Sequence, residues 1–504
     1  MMNIRQYTNI TEIVIPDIII LSNNNFLDAF RNMRNLVTSE FNHPNVANIV
    51  QTYWNCSNLT SSPVCGDKVT SMSYTYANCS NLIGNPVCGN NVTNMYRTYY
   101  NCINLTGNPA CSNNVTSMMS TYHSCYNLTG SPVCGDKVTT MYNTYRNCSN
   151  LTGSPVCGDK VTTMYYTYYN CQKITGSPAC GNNVTNMYYT YYNCCNLTDS
   201  PVCGNKVTNM WSTYLNCYNL TGSPACGPNV TRMDGAYRGC TNLTGNPVCG
   251  NNVTNMYYTY GSCTNITGSP VCGPNVTDIG SAYYNCHNLT GSPVCGNNVT
   301  TMVSAYNGCT NLTGNPVCGN KVTSIGGAYQ RCSKLTGSPV CGSNVTSMTS
   351  AYNGCTNLTG NPVCGNNVTN MIYAYCNCYK LTGSPVCGPN VTTMAGTYVN
   401  CYNLTGLPVC GNNVTNMDST YYNCKNLSAG DMYVYAINIT SARNCFSRKN
   451  NSRRYNIHVP ANSTTLNTFL INNVYSLVGT NITYTNNGTC YYNTAYNIYI
   501  YPDL

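Results

Sequence analysis

The chain has 504 residues, of which only 7 % are charged, and a thinly spread net charge of +9. A typical soluble domain carries about 25 % charged residues, and so dilute a positive charge excludes a dedicated nucleic-acid partner. A hydrophobic fraction of 42 % still leaves enough for a core, and the aromatic share is nearly all tyrosine, 47 Tyr against five Phe and two Trp.

The first twenty residues, "MMNIRQYTNITEIVIPDIII", lack the pattern of a secretory signal, because Pro16 and Asp17 interrupt the apolar run and no small-residue cleavage site follows. No stretch approaches the roughly 20 apolar residues of a membrane span. The expectation is a chain without membrane insertion and without an obvious export signal.

From Cys56 onward the sequence repeats every 23 residues. One cysteine column runs from Cys56 to Cys424 with 17 members, and a second from Cys65 to Cys410 with 16; Cys195, Cys376, Cys445 and Cys490 lie outside both. The Tyr53 column is unbroken to Tyr421. The Met72 column is broken only by Ile279 and Ile325, and the Leu59 column only by Ile174 and Ile266. Pro63, Gly66, Val69 and Thr70 head further columns. The register reaches back through Val46, Ile49, Leu36, Met33 and Phe30 to Ile13, which makes residues 1–50 a degenerate N-terminal cap.

Met72, Tyr76, Cys79 and Leu82 are spaced i, i+4, i+7, i+10, the stripe of a short helix. "TGSPVCGNNVT" has room only for a short strand around Pro-Val-Cys between turns. The expected architecture is an α/β repeat solenoid over residues 51–430, about sixteen coils with one short helix and one short strand each. At about 4.8 Å per strand it would form a rod of roughly 80 Å. In it Cys79, Cys88, Tyr76, Met72 and Leu82 are structural ladder residues.

Stacked cysteines at about 5 Å fall within disulfide range. The odd count of the long column and a reducing site of synthesis favour buried free thiols instead. No cysteine–histidine cluster has zinc spacing, so no metal or other cofactor is expected. The Asn58 column, broken by Lys173, Lys334 and Lys380, reads as a turn-satisfying ladder, and its "NLT" sequons as products of that ladder.

The variable positions follow the Met column and flank the Cys56 column, where Tyr100, His123, Arg146, Leu215, His287 and Gln330 fall. They place Tyr74, Tyr96, Arg97, Tyr142, Tyr165, Tyr188, Trp211 and Tyr257 on one solvent strip. Flat Tyr and Trp faces bind partners at low entropic cost, and a neutral aromatic–amide strip suits a glycan or a protein surface. A merely drifting surface is the alternative.

After Leu427 the period decays. "RRYNIHVP" reads as a strand, "STTLNTFLINN" as a helix capped by Ser463 or Thr464, and Asn487-Gly488 as a hairpin turn. Together they predict a small α+β cap or attachment segment over 431–504. The basic cluster Arg443, Arg448, Lys449, Arg453 and Arg454 reads as a solvated edge or a site for an anionic partner.

The motif "VTNMxxxYxxCxNLT" resembles the BspA-like leucine-rich repeats of bacterial and protist surface proteins. Val69, Thr70, Met72, Cys79 and Leu82 and their copies match that pattern, over about residues 13–427. Here Tyr stands where that family has Phe, and "PVC" replaces its Leu/Ile-rich strand. Cysteine ladders also occur in some internalin-type repeats. The ending "HVPANSTTLNTFL…YNIYIYP" resembles repeat proteins of gut bacteria and their phages. The resemblance implies a leucine-rich-repeat-like fold, no catalytic residues, and adhesion.

The expected function is therefore a non-enzymatic structural and binding protein on a virion or in the extracellular space. The first setting is a phage tail fibre or virion surface adhesin meeting host-surface glycan or protein and other virion subunits. The second is a cell-surface leucine-rich-repeat adhesin. An enzyme is disfavoured because the four His are several coils apart and the 13 carboxylates are scattered.

Overall fold

A 23-residue period with one large apolar residue in each of five columns can bury those columns only by stacking copies of itself. The computed structural model does this. It describes residues 9–14, 25–40, 45–61, 66–428, 430–433, 435–436 and 438–445, together with the strands at 455–458, 483–484, 491–493 and 498–501. The chain divides into two units, residues 1–253 and 254–504.

The coil from Met164 to Ile174 in the first unit is representative. Met164, Tyr168, Cys171 and Ile174 are all fully buried, as the spacing requires. The backbone that carries them is not helical; among the described residues there is no α-helix. Alternate amides do different things. Those of Met164, Tyr166, Tyr168 and Asn170 reach the next coil, bonding the carbonyls of Asn186, Tyr188, Thr190 and Tyr192 at 2.8–3.0 Å. Those of Thr167, Tyr169, Cys171 and Ile174 turn back onto the carbonyl three residues earlier. The segment is thus a run of overlapping turns. Tyr166 (φ 55°) and Asn170 (φ 59°) are left-handed, at the third position of two of these turns, where a type II turn requires positive φ. These eight amides are satisfied, as in a helix, but half of their bonds now join coils.

The expected strand around Pro-Val-Cys is also displaced. Pro155 has no amide to give, and both polar groups of Val156 are taken by one side chain: the Tyr168 hydroxyl accepts from the Val156 amide at 2.9 Å and donates to its carbonyl at 2.8 Å. The coil-to-coil pairing falls instead beside the Thr column, where single parallel bridges join Thr140, Thr163 and Asn186 in succession.

Each column has its own chemistry. Tyr145, Tyr168 and Tyr191 stack in parallel at 5.5 Å between ring centroids. The Cys171 thiol donates to the Tyr145 carbonyl of the preceding coil at 3.0 Å, an oxygen that already accepts the Cys148 amide. Thr167 does the same for the Met141 carbonyl at 2.8 Å. The thiols are free, as expected, and they are also donors rather than only small apolar filler. In the second unit Tyr306 repeats the clamp, with Val294 amide and carbonyl at 3.0 and 2.6 Å. Tyr306→Phe strands both groups, and at about 1–3 kcal/mol for each unsatisfied buried group it is expected to lower stability by about 2–4 kcal/mol. Equal denaturant midpoints for the two chains would refute the clamp.

The Gly153 column has positive φ at a tight contact between coils. Gly153 itself is at φ 77°, and a Cβ there would lie 2.3 Å from the Ser131 Oγ. Asp199 holds the same position at φ 51° and accepts a bond from Ser177 at 2.6 Å. Gly153→Ala is expected to cost more than the roughly 1–2 kcal/mol of a left-handed L-residue, because Ser131 must also move. A melt of the variant superimposing on that of the parent chain would contradict this.

At the N-terminal end Phe30 packs on Tyr53 at 5.4 Å, and Met33, Leu36, Val46 and Ile49 are buried in register. Strand β1 (Glu12–Val14) pairs in parallel with β2 (Thr38–Glu40). Here the Tyr53 hydroxyl bonds Ser39 at 2.9 Å. In the second unit the coil ladder runs past residue 430: Asn416 bridges Ser441, and Ile439, Ala442 and Cys445 are buried. An offset of 25 rather than 23 hides this coil from a fixed-period reading. Strands β3 (Gly430–Tyr433), β4 (Tyr455–His458), β5 (Thr483–Tyr484), β6 (Tyr491–Asn493) and β7 (Ile498–Tyr501) form a mixed sheet of order β3-β4-β7-β6-β5. β4 is the strand expected from "RRYNIHVP", and β5 and β6 are antiparallel. The helix expected at 463–473, the turn at Asn487-Gly488, Pro63, Cys65 and the basic residues 448–454 lie outside the described residues.

Candidate functional site

Three positions of the turn run lie outside the core columns and carry the variable residues: the first, second and fifth residues after the Met column. In the first unit these carry most of the expected strip and bring its members together. Tyr142, Tyr165 and Tyr188 form one parallel column, with centroids 5.1 and 4.6 Å apart, and Trp211 meets Tyr188 edge-on at 4.7 Å. Tyr74 meets Tyr96 edge-on at 5.2 Å. Arg97 lies over Tyr74, Tyr96 and Tyr100, 5.2–5.6 Å from each centroid, and donates to the Tyr74 hydroxyl at 3.2 Å.

The neighbouring columns add residues outside the expected set. Tyr166 stacks on Tyr189 at 5.2 Å and Tyr169 on Tyr192 at 4.5 Å, with Tyr165 and Tyr188 packed edge-on against Tyr166 and Tyr189. Arg146 lies over Tyr166 and Tyr169 at 4.7 and 5.0 Å, and Arg232 lies over Trp211 at 4.4 Å while pairing with Asp234 at 3.1 Å. The signal for the added tyrosines is the doubled "YYTYY" at 165–169 and 188–192.

One expectation is corrected. In each parallel column the rings cover one another, so the columns present ring edges and hydroxyls rather than flat faces. The aromatics thin out along the second unit. Tyr257 lies in the second unit, 47 % exposed, against Tyr258 at 4.8 Å and over Gly280. Beyond it the same positions carry Val303, Ser304, Gly326, Gly327, Ala395 and Gly396 among isolated tyrosines, Tyr284, Tyr373 and Tyr422.

Burial first, then neighbouring phenols, push the Tyr165 and Tyr169 hydroxyls up; burial and a bond with Tyr166 do so for Tyr188. These groups stay protonated and neutral at physiological pH. His123, edge-on to Tyr100 at 4.9 Å, is held down to about 4 by burial and by Arg146 and Arg97, so it is neutral too.

Of the ladder residues, Met72, Tyr76, Cys79 and Leu82 are buried and Cys88 is half-buried. The described cysteines are all free. Cys125, two residues from His123, donates its thiol to the Tyr99 carbonyl at 3.0 Å rather than to the imidazole, and burial raises its pKa well above the usual value. Cys286, beside His287, donates likewise to Tyr260, while His287 bonds the Gly308 carbonyl. Neither pair is a nucleophile with its base. Among the described residues no group of three or more His, Cys, Asp or Glu is placed to hold a metal ion, and no helix is long and apolar enough to cross a membrane.

Fold and site together define a turn-built tandem-repeat solenoid with an aromatic block on its surface. Solved structures similar to it include a leucine rich cell surface protein from Faecalibacterium prausnitzii, at 16 % identity and a TM-score of 0.34, covering 72 % of this chain and 87 % of that one. Another is a leucine-rich repeat protein from Bacteroides ovatus, at 12 % identity and a TM-score of 0.26, covering 91 % and 88 %. No protein-family model and no curated protein matches the chain.

Proposed function

We propose that the chain is a non-enzymatic adhesin of a cell or particle surface, and that it contacts a glycan or protein partner through the aromatic block of its first unit. The observation that carries this reading is the backbone under Tyr166 and Tyr189. Both hold left-handed φ, 55° and 51°, as Tyr74, Arg97, Tyr258 and Tyr373 do at the same position, where other coils carry Ser120, Asn143, Ser212 or Gly235. A residue with a Cβ there costs about 1–2 kcal/mol, so the backbone by itself prefers glycine. Strain of this kind clusters where a protein does its work.

The test separates fold from function. Tyr166→Gly/Tyr189→Gly relieves two strained positions and loses ring contacts worth about 0.5–1.5 kcal/mol each; stability is expected to stay within about 2 kcal/mol of the parent. Binding on a glycan array and to intact bacterial cells is expected to fall at least tenfold. Unchanged binding by this folded variant would leave the block as a structural surface only.

A further inference from the structure

We infer that the aromatic block takes an acidic glycan, a uronate- or sulfate-bearing chain laid along the coils across Arg97 and Arg146. This deepens the adhesin reading and rests on it. The charge on the face is one-sided. From Met72 on, the outward columns of the first unit carry Arg97, Arg146 and Arg238 against a single carboxylate, Asp234, which Arg232 from the column just before the Met already pairs. From Tyr257 to Tyr422 the same columns of the second unit carry one carboxylate, Asp418, and no basic residue. Attraction for an anion is therefore local to the aromatic block and invisible in the net charge of the whole chain.

The two central guanidiniums are set in place before any ligand arrives. Arg97 lies among three tyrosines and Arg146 against two. Among the described residues neither has a carboxylate partner, and the Nε of each is buried without a hydrogen bond. Stacking on rings holds the planar group while leaving its charge uncompensated, the arrangement that favours arginine for carboxylate and sulfate recognition. Around them the surface is tyrosine hydroxyls and asparagine amides, which match the hydroxyls of a sugar.

Spacing and ring geometry choose among polyanions. Arg97 and Arg146 are two coils apart, about 10 Å along the ladder at about 4.8 Å per coil, the order of one disaccharide of an extended chain. Single-stranded nucleic acid binds by laying bases on open aromatic faces, and here the parallel columns cover theirs.

The test uses the full chain with polygalacturonate, dextran sulfate and neutral dextran as probes at physiological ionic strength. Both polyanions are expected to bind and neutral dextran not to. Arg97→Gln/Arg146→Gln is expected to weaken polygalacturonate tenfold or more, about 1.4 kcal/mol, while Arg331→Gln on the second unit changes nothing. Polygalacturonate should also raise the His123 titration from its position near 4, since an anion beside it favours the imidazolium; neutral dextran should not. Equal binding of neutral dextran, wild-type affinity in the double variant, or tighter binding of single-stranded DNA than of either glycan overturns the inference. If the polyanions fail while cell binding still depends on Tyr166 and Tyr189, the acidic-glycan inference falls and the adhesin reading stands. If cell binding is indifferent to those tyrosines as well, both fall.

Discussion

Raising the pH from 9 to 11 is expected to unfold this protein steeply. The cause is the ladders. Burial pushes the thiols of Cys157 and Cys203 up to about 12 and those of Cys295, Cys318 and Cys387 up to about 11, and Cys309, fully buried, reaches about 12. The tyrosine column is raised in the same way, by burial first. A group whose folded pKa lies above its unfolded value contributes stability that is complete below the unfolded pKa and is lost as pH climbs toward the folded one. Above pH 9 the unfolded chain sheds protons that the folded chain keeps, so each such thiol draws the equilibrium toward unfolding. For Cys309 alone the limit is on the order of 4 kcal/mol, and a few such groups exceed the roughly 5–15 kcal/mol that hold a domain together. Circular dichroism against pH, with thiol labelling in parallel, checks it. Labelling at pH 8 should be slow in the native chain and complete after denaturation. Native spectra persisting at pH 11 would contradict the burial of the ladders.

The second large effect follows from Met348→Lys. Met348 is fully buried in a column between Ile325 and Met371. An ammonium there has no partner, and burying an unpaired charge costs several kcal/mol. Because each coil is supported only by its neighbours, the damage spreads to the coils on both sides. Limited proteolysis should open new cuts within roughly residues 320–375, and the volume-conserving Met348→Leu should cost under about 1.5 kcal/mol. A proteolytic pattern identical to the parent's would sink the stacking model.

Much of this core is legible in the sequence, because burial demands the same residue at each period. Met72, Tyr76, Cys79 and Leu82 were placed in the core by spacing alone, and that is where they lie. The backbone beneath them was not legible. The spacing i, i+4, i+7 puts side chains on one face of a helix, and a run of overlapping turns puts them there equally well. What separates the two is the residue before each column cysteine. Asn78, Asn101, Ser124, Asn147, Gly239 and Gly308 share φ between 60° and 80°, a conformation that Asn and Gly accept readily and that no helix interior contains. That column is the signal for turns. It also forms a ladder of its own, Asn78 donating to Asn55 and Asn170 to Asn147. The strip is legible because its residues vary, but variation cannot say that parallel rings cover each other's faces.

The alternating amides have a genetic consequence. Within each unit the core junction between coils is made by backbone groups and column residues that nearly every coil shares, whereas the residues that differ lie outside the core. Gain or loss of a whole 23-residue segment therefore rebuilds the same kind of junction on either side of the splice. Near-identical neighbouring repeats are also the substrate on which unequal crossing-over works. A surface assembled in this way can lengthen, shorten or exchange its outward residues without renegotiating its core, and the doubled "YYTYY" coils at 165–169 and 188–192 have the form that one such duplication would leave.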